Sequence, residues 1–60
     1  MKVYIVVSEH RAEGQEVIAA YRVRPSDAVA KEVARDLSRY AQDEWDYWCE
    51  ADVIELELHR

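Results

Sequence analysis

The chain has 60 residues, a net charge of −5, and a composition that is 50% hydrophobic and 35% charged. This balance is typical of one small globular domain, which we expect to cover residues 1–60. No apolar run approaches the roughly 20 residues that a membrane-spanning helix needs, and a single cysteine excludes an internal disulfide.

The first two predicted elements form a β-hairpin. Residues 2–8 are apolar on both faces, which is typical of a central strand. A polar loop follows and ends at Gly14, the only glycine, for which we expect a positive φ. A second strand is predicted over 15–23, and Pro25 ends it because proline cannot donate to a strand ladder.

A helix is predicted over 27–42. Ser26 is a favourable N-cap, and Asp27 complements the helix dipole. Apolar residues recur at helical spacing along one arc, while the opposite face carries a basic stripe. The stripe consists of Lys31, Arg35 and Arg39.

The last predicted element is a strand over 52–59, in which apolar and polar residues alternate. The element order gives an α+β fold of ββαβ type. The apolar first strand belongs in the middle of a three-stranded mixed sheet of order 2-1-3, and a right-handed crossover places the helix on one face of that sheet. We expect Val3, Ile5 and Val7 to lie under the helix.

One helix covers only one face of such a sheet, so the opposite face is predicted to be exposed and apolar. Exposed apolar patches of this kind mark interfaces. We therefore predict a homodimer through that face, and the alternative is that the aromatic residues after the helix fold back over it. The predicted dimer interface consists of Tyr4, Val6, Ile18 and Ala20.

Negative charge is concentrated in the C-terminal third. Residues 43–60 carry seven acidic residues against Arg60, whereas acidic and basic residues nearly balance over 1–42. Such a segment repels phosphate backbones and attracts a basic protein surface. The alternative is that the acids serve solubility alone.

The most unusual segment interleaves aromatic and acidic residues. Trp and Tyr are favoured anchors of protein interfaces, and carboxylates around them select a basic partner. The alternative is that the tryptophans complete a small core. The predicted anchors are Trp45, Tyr47 and Trp48, and the residues predicted to orient the partner are Asp43, Glu44, Asp46 and Glu50.

Other chemistry has little support in the sequence. His10, His59 and Cys49 show no metal-ligand spacing, and the two histidines are expected to be solvated. Acidic neighbours are expected to raise the pKa of the Cys49 thiol. Glu55 and Glu57 would lie about 7 Å apart on one strand face, where glutamates are usually solvated. We predict no catalytic residue, no metal and no cofactor.

The pattern Met1-Lys2-Val3-Tyr4-Ile5-Val6-Val7, followed by Val17-Ile18-Ala19-Ala20-Tyr21 and Pro25-Ser26-Asp27-Ala28, resembles very short phage- and prophage-borne proteins of ββαβ design. That resemblance implies a small accessory or inhibitor protein in the cytoplasm of a bacterial host, which acts by binding another protein. The acidity is also similar to that of phage inhibitors that imitate nucleic-acid charge, including some anti-CRISPR proteins.

The predicted function is a small, acidic, non-enzymatic protein-protein interaction module that occupies a basic partner surface. Two alternatives remain. The first is a nucleic-acid-binding accessory protein that uses the basic stripe. The second is a ligand-binding or enzymatic subunit with its site at a dimer interface.

Overall fold

The computed structural model describes residues 1–59. Strand β1 lies at the centre of a three-stranded sheet of order β2-β1-β3 and pairs antiparallel with both neighbours. The α+β class and the strand order are therefore confirmed. The description of the sheet as mixed is wrong, because β2 and β3 run parallel to each other but form no ladder together. The elements are β1 (Lys2–His10), β2 (Gly14–Tyr21), α1 (Asp27–Leu37), α2 (Gln42–Trp48) and β3 (Cys49–Glu57).

The β1–β2 hairpin closes through a loop that His10 organises. Gly14 has a φ of 91°, as predicted, and a side chain there would meet no atom within 4 Å. The glycine is therefore required by backbone conformation rather than by space. The Nδ1 atom of His10 accepts hydrogen bonds from the backbone N–H groups of Ala12 and Glu13 at 3.0 and 3.1 Å. This turn extends β1 two residues beyond the predicted end.

Helix α1 begins as predicted but ends early. The Ser26 hydroxyl accepts the backbone N–H of the residue three positions later, at 3.2 Å. The helix stops at Leu37 because Glu16 of β2 accepts hydrogen bonds from the two residues that follow. Its carboxylate accepts both the Ser38 hydroxyl and the Arg39 backbone N–H, each at 3.1 Å. The predicted end at residue 42 is therefore wrong.

The segment after α1 forms a second helix, α2, that the single-helix prediction lacked. Asp43 and Glu44 lie in its first turn, where they complement the helix dipole. Trp45 and Cys49 are one turn apart and both are buried. Strand β3 begins directly at Cys49, three residues earlier than predicted.

A β-bulge in β2 changes which residues face the helices. Val6 lies opposite Ala19, but the next residue, Val7, lies opposite Val17, so Ile18 is the extra residue of the bulge. Strict alternation along β2 therefore fails at this point. Ile18 and Ala19 both lie on the helix side of the sheet, whereas Val17 shares the opposite face with Val7.

The helices cover the face of β1 that carries its even-numbered residues, such as Val6 and Ser8. Val6 has no exposed surface and packs with Ala30 and Ala34 of α1 and with Trp45 of α2. The expectation that Val3, Ile5 and Val7 lie under the helix is wrong. The partly buried residues that complete this core are Ile18, Tyr21, Tyr40, Ala51 and Val53.

Three of the four residues of the predicted dimer interface lie on the helix side of the sheet, so the predicted interface is wrong. Val6 is inside the core and Ile18 packs against it. Tyr4 pairs with Tyr21 and alternates in phase with Val6, so it also lies on the helix side. Ala20 pairs with Ile5 and is the one predicted interface residue that lies on the sheet face opposite the helices.

A single polar residue accounts for the choice of face. The Trp45 indole Nε1–H donates to the Ser8 hydroxyl at 2.8 Å, and both side chains are almost completely buried. Burying an indole N–H without an acceptor is costly. The face that carries Ser8 offers that acceptor, whereas the residues of β1 that face away before Glu9 are all aliphatic.

Candidate interaction surface

Trp45 is a core residue and not a contact for a partner. Its side chain is 1% exposed and contacts β1 through Ser8. The alternative that the tryptophans complete the core therefore holds for Trp45. The interface prediction keeps Tyr47 and Trp48, which lie outside that core.

Tyr47 and Trp48 form an exposed aromatic pair at the end of α2. Their rings meet edge to face at 4.7 Å between centroids, and they are 66% and 43% exposed. The Trp48 indole also stacks on His10 at 6.0 Å, and the Arg11 guanidinium lies 6.0 Å from its centroid. Three neighbours thus hold Trp48 in place while much of its surface stays accessible.

A backbone hydrogen bond and ring stacking hold the hairpin loop against the end of α2, next to this pair. The Arg11 backbone N–H donates to the Trp48 carbonyl at 3.1 Å. His10 stacks on Tyr40 at 4.8 Å and is largely buried, so the expectation that His10 is solvated is wrong. Because Nδ1 of His10 accepts two N–H groups, the ring proton belongs on Nε2, which lies 3.7 Å from Glu13.

Exposed carboxylates border the aromatic pair. Asp43 is one turn before Tyr47, and Glu44 is one turn before Trp48, so these four residues share the outer face of α2. Glu50 follows on β3 and is exposed, but it pairs with Glu9 and alternates with the buried Cys49, so it lies on the sheet face opposite the helices and not beside the aromatic pair. We call Asp43, Glu44, Tyr47 and Trp48 the acidic-aromatic surface.

Asp46 has a structural partner and differs from the other acids. Its two carboxylate oxygens accept Nε and Nη2 of Arg35 at 2.8 and 3.0 Å. This bidentate hydrogen bonding lowers the pKa of Asp46 and raises that of Arg35. The pair joins α1 to α2 and thereby fixes the angle at which α2 presents its outer face.

A groove of about 630 Å³ continues the acidic surface along the free edge of β3. Five consecutive residues of that strand, 49–53, line it on one side, and α1 and α2 line the other. Four carboxylates and two cations surround the groove. They are Asp27, Asp46, Glu50 and Asp52, with Arg24 and Lys31.

Two of the three residues of the predicted basic stripe bind side chains within the protein, and one of these, Arg39, lies beyond the end of α1. Arg35 binds Asp46, and Arg39 lies 3.4 Å from a Glu13 oxygen and donates to the Tyr40 hydroxyl at 3.0 Å. The partners of both arginines lie outside α1, on α2 for Arg35 and in the hairpin loop for Arg39. Lys31 is the one member of the stripe that forms no ion pair within residues 1–59.

The remaining candidate residues have ordinary structural roles. Burial raises the pKa of the Cys49 thiol, and a contact with the Ser8 hydroxyl offsets this only in part. Glu55 lies 3.9 Å from Lys2, and Glu57 lies 3.3 Å from the Met1 amino group. Within residues 1–59, no three metal-ligating side chains come together.

The sequence predicted most of the residues of this surface but not the two residues of the hairpin loop that hold Trp48 in place, His10 and Arg11. His10 and Arg11 lie far from α2 in sequence, and no local signal connects them to Trp48. A signal for α2 itself was present. Trp45 and Cys49 are spaced by one helical turn, and acidic residues begin the segment.

Across residues 1–59, the helices are too short and too polar for any of them to span a lipid bilayer. No protein-family model, curated protein or solved structure matches the chain. The resemblance to phage-borne proteins and the cytoplasmic location stay predictions.

Proposed function

We propose that the chain is a small, acidic, non-enzymatic protein-interaction module that occupies a basic surface on a partner protein. The observation that carries this proposal is the exposed, pre-ordered Tyr47–Trp48 pair set among carboxylates on one face of α2. Aromatic residues of this kind dominate binding energy in protein interfaces. An indole already held by three neighbours loses little conformational freedom on binding.

Charge determines the class of partner. The acidic-aromatic surface contributes Asp43 and Glu44, and α2 has no basic residue in its last turn. The adjoining groove adds further carboxylates along the edge of β3. A surface of this charge speeds encounter with a basic protein and repels an acidic one.

The alternative of nucleic-acid binding is weakened by the same contacts. Phosphate binding needs cations that are free to contact the backbone. Arg35 and Arg39 are already bound to Asp46 and Glu13, so a phosphate would have to displace both carboxylates.

The test is an affinity purification from the producing cells with immobilised wild-type protein and two variants. The site variant is Tyr47→Ala with Trp48→Ala, and the matched control is Val23→Ala, which shortens a side chain that is 80% exposed elsewhere. We expect a basic protein that wild type and control retain and the site variant loses.

The recovered protein is then purified, and its affinity is measured at several salt concentrations. Loss of the two aromatic side chains should weaken binding by roughly 30-fold or more, as for an interface hot spot. Binding should also weaken several-fold between low and physiological salt. Equal recovery by the site variant, or an affinity that salt does not change, would refute the proposal.

A further inference from the structure

Strand β3 is an outer strand, and its edge away from β1 carries unpaired backbone groups. In the part of the chain that the structure describes, no strand lies beyond that edge. Met1 and Leu58 exchange backbone hydrogen bonds at 3.2 and 2.8 Å, so the N–H groups of even-numbered β3 residues point to β1. The Val53 N–H instead donates to the Asp52 carboxylate at 2.8 Å. The N–H and C=O groups of Ala51 and Val53 therefore face the outer edge.

The groove of about 630 Å³ runs along this edge. Neighbouring residues of a strand point to opposite faces, so a cavity lined by five consecutive residues of β3 must reach around the edge of that strand. On the helix side it is lined by Ala30, Ala51 and Val53, and on the other side by the carboxylates of Glu50 and Asp52. The five residues span about 17 Å, which is the length of an extended segment of about five residues.

The other outer strand is less suited to further pairing. The bulge at Ile18 shifts the register of β2 against β1, and bulges are one means by which outer strands avoid additional partners. The ladder between β3 and β1 has no such shift over nine residue pairs. A fourth strand is therefore better accommodated at β3 than at β2.

The carboxylates of the groove determine the charge of its occupant. Glu50 and Asp52 are exposed, lie about 7 Å apart on one face of β3, and form no ion pair within residues 1–59. Antiparallel pairing of two β3 edges about Ala51 would set Glu50 of each copy against Asp52 of the other, so like charges oppose that self-association. Basic side chains at alternate positions of an added strand would instead lie beside both carboxylates.

We infer that the groove binds an extended segment of a partner protein, which adds to β3 as a fourth strand and carries Lys or Arg at every second position. The backbone of the segment forms hydrogen bonds with Ala51 and Val53, and its basic side chains lie beside Glu50 and Asp52. The side chains between them face α1, where the cation of Lys31 lines the groove. Those positions are therefore small and uncharged.

This site does not depend on the proposed function, because no residue of the acidic-aromatic surface lines the groove. The variant Tyr47→Ala with Trp48→Ala should bind the segment as wild type does. Failure of the affinity purification would leave strand addition at β3 unaffected, and failure of strand addition would leave the acidic-aromatic surface as a binding site. The two proposals can therefore fail separately.

The test follows the isotope-labelled protein by NMR during titration with a short synthetic peptide in which Lys and Val alternate. A peptide of alternating Lys and Pro keeps the charge but lacks every second N–H group, and one of alternating Glu and Val reverses the charge. We expect the Lys-Val peptide to slow amide exchange at Ala51 and Val53 several-fold. We expect both control peptides to bind at least roughly 10-fold more weakly.

Two variants locate the charges that the peptide contacts. Glu50→Gln with Asp52→Asn removes both carboxylates of the groove, and the Asn keeps an acceptor for the Val53 N–H. Glu55→Gln with Glu57→Gln removes the same charge from the same strand beyond the groove. The first variant should bind the Lys-Val peptide roughly 5-fold more weakly or worse, and the second nearly as wild type does.

Several results would overturn the inference. They are equal binding of either control peptide, unchanged amide exchange at Ala51 and Val53, and equal affinities of the two charge variants. Loss of peptide binding in the Tyr47→Ala, Trp48→Ala variant would overturn it by placing the peptide on the acidic-aromatic surface. Slower exchange of the two amides at higher protein concentration without peptide would overturn it by assigning the edge to a second copy.

Discussion

The hydrogen bond between Trp45 and Ser8 gives the sharpest test of why this sheet buries one face rather than the other. Replacing Ser8 by alanine removes the one acceptor of an indole N–H that is almost completely buried. An unsatisfied buried donor costs about 1–3 kcal/mol. A domain of this length has a total stability of only about 3–9 kcal/mol.

The expected result is therefore large. Ser8→Ala should lower the free energy of unfolding by about 2 kcal/mol. It should also lower Tm by roughly 8–16 °C, at about 4–8 °C per kcal/mol for a domain of this size. Removing the Ser8 hydroxyl from the core gains too little free energy to offset an orphaned donor. Urea denaturation followed by far-ultraviolet circular dichroism measures the free energy, and thermal denaturation measures Tm.

A double-mutant cycle isolates the hydrogen bond from the other contacts of Ser8. Trp45→Phe removes the donor, so Ser8→Ala in that background should cost less than about 0.5 kcal/mol, which leaves a coupling energy of at least about 1 kcal/mol. The contact between Ser8 and the Cys49 thiol persists in both backgrounds and cancels. Equal costs of Ser8→Ala in the two backgrounds would refute the explanation given for the choice of face.

Two other predictions concern the contacts that hold α2 and the hairpin loop. The pKa of Asp46 is lowered by Arg35, so the ion pair stabilises the fold above the unfolded pKa of about 4 and is lost as the pH falls through the lower folded value. The Tm of wild type should exceed that of Asp46→Asn at pH 7, and the difference should vanish towards pH 2; a difference that does not depend on pH would contradict this. His10→Asn keeps an acceptor at the position of Nδ1, whereas His10→Phe keeps only the ring. Amide exchange at Ala12 and Glu13 should therefore rise several-fold in the Phe variant and much less in the Asn variant, and the opposite order would show that stacking, not the acceptor, forms the turn.

Local signals in the amino-acid sequence were enough to predict several elements of the fold. Ser26 caps α1 through its own side chain, and Gly14 supplies a positive φ that other residues adopt only at a cost. The position of β1 in the sheet also followed from its composition, because a strand that is apolar on both faces is stable only between two others.

Other features depend on contacts between residues far apart in the chain, which local patterns do not reveal. Both faces of β1 are apolar, so hydrophobicity could not choose between them. The hydrogen bond between the Trp45 indole and the Ser8 hydroxyl, which are 37 residues apart, determines which face is buried under the helices. Glu16 ended α1 from another strand, and the bulge at Ile18 reversed the alternation of β2.

The acidic-aromatic surface shows the same division. Composition identified Tyr47 and Trp48 as candidate contacts, but it could not separate them from Trp45, because all three lie in one short segment. Only the helical turn of α2, packed through Trp45 onto β1, directs one aromatic residue inward and leaves the other two exposed. The core contains the one indole whose N–H has a buried acceptor, and the other two aromatic side chains stay exposed.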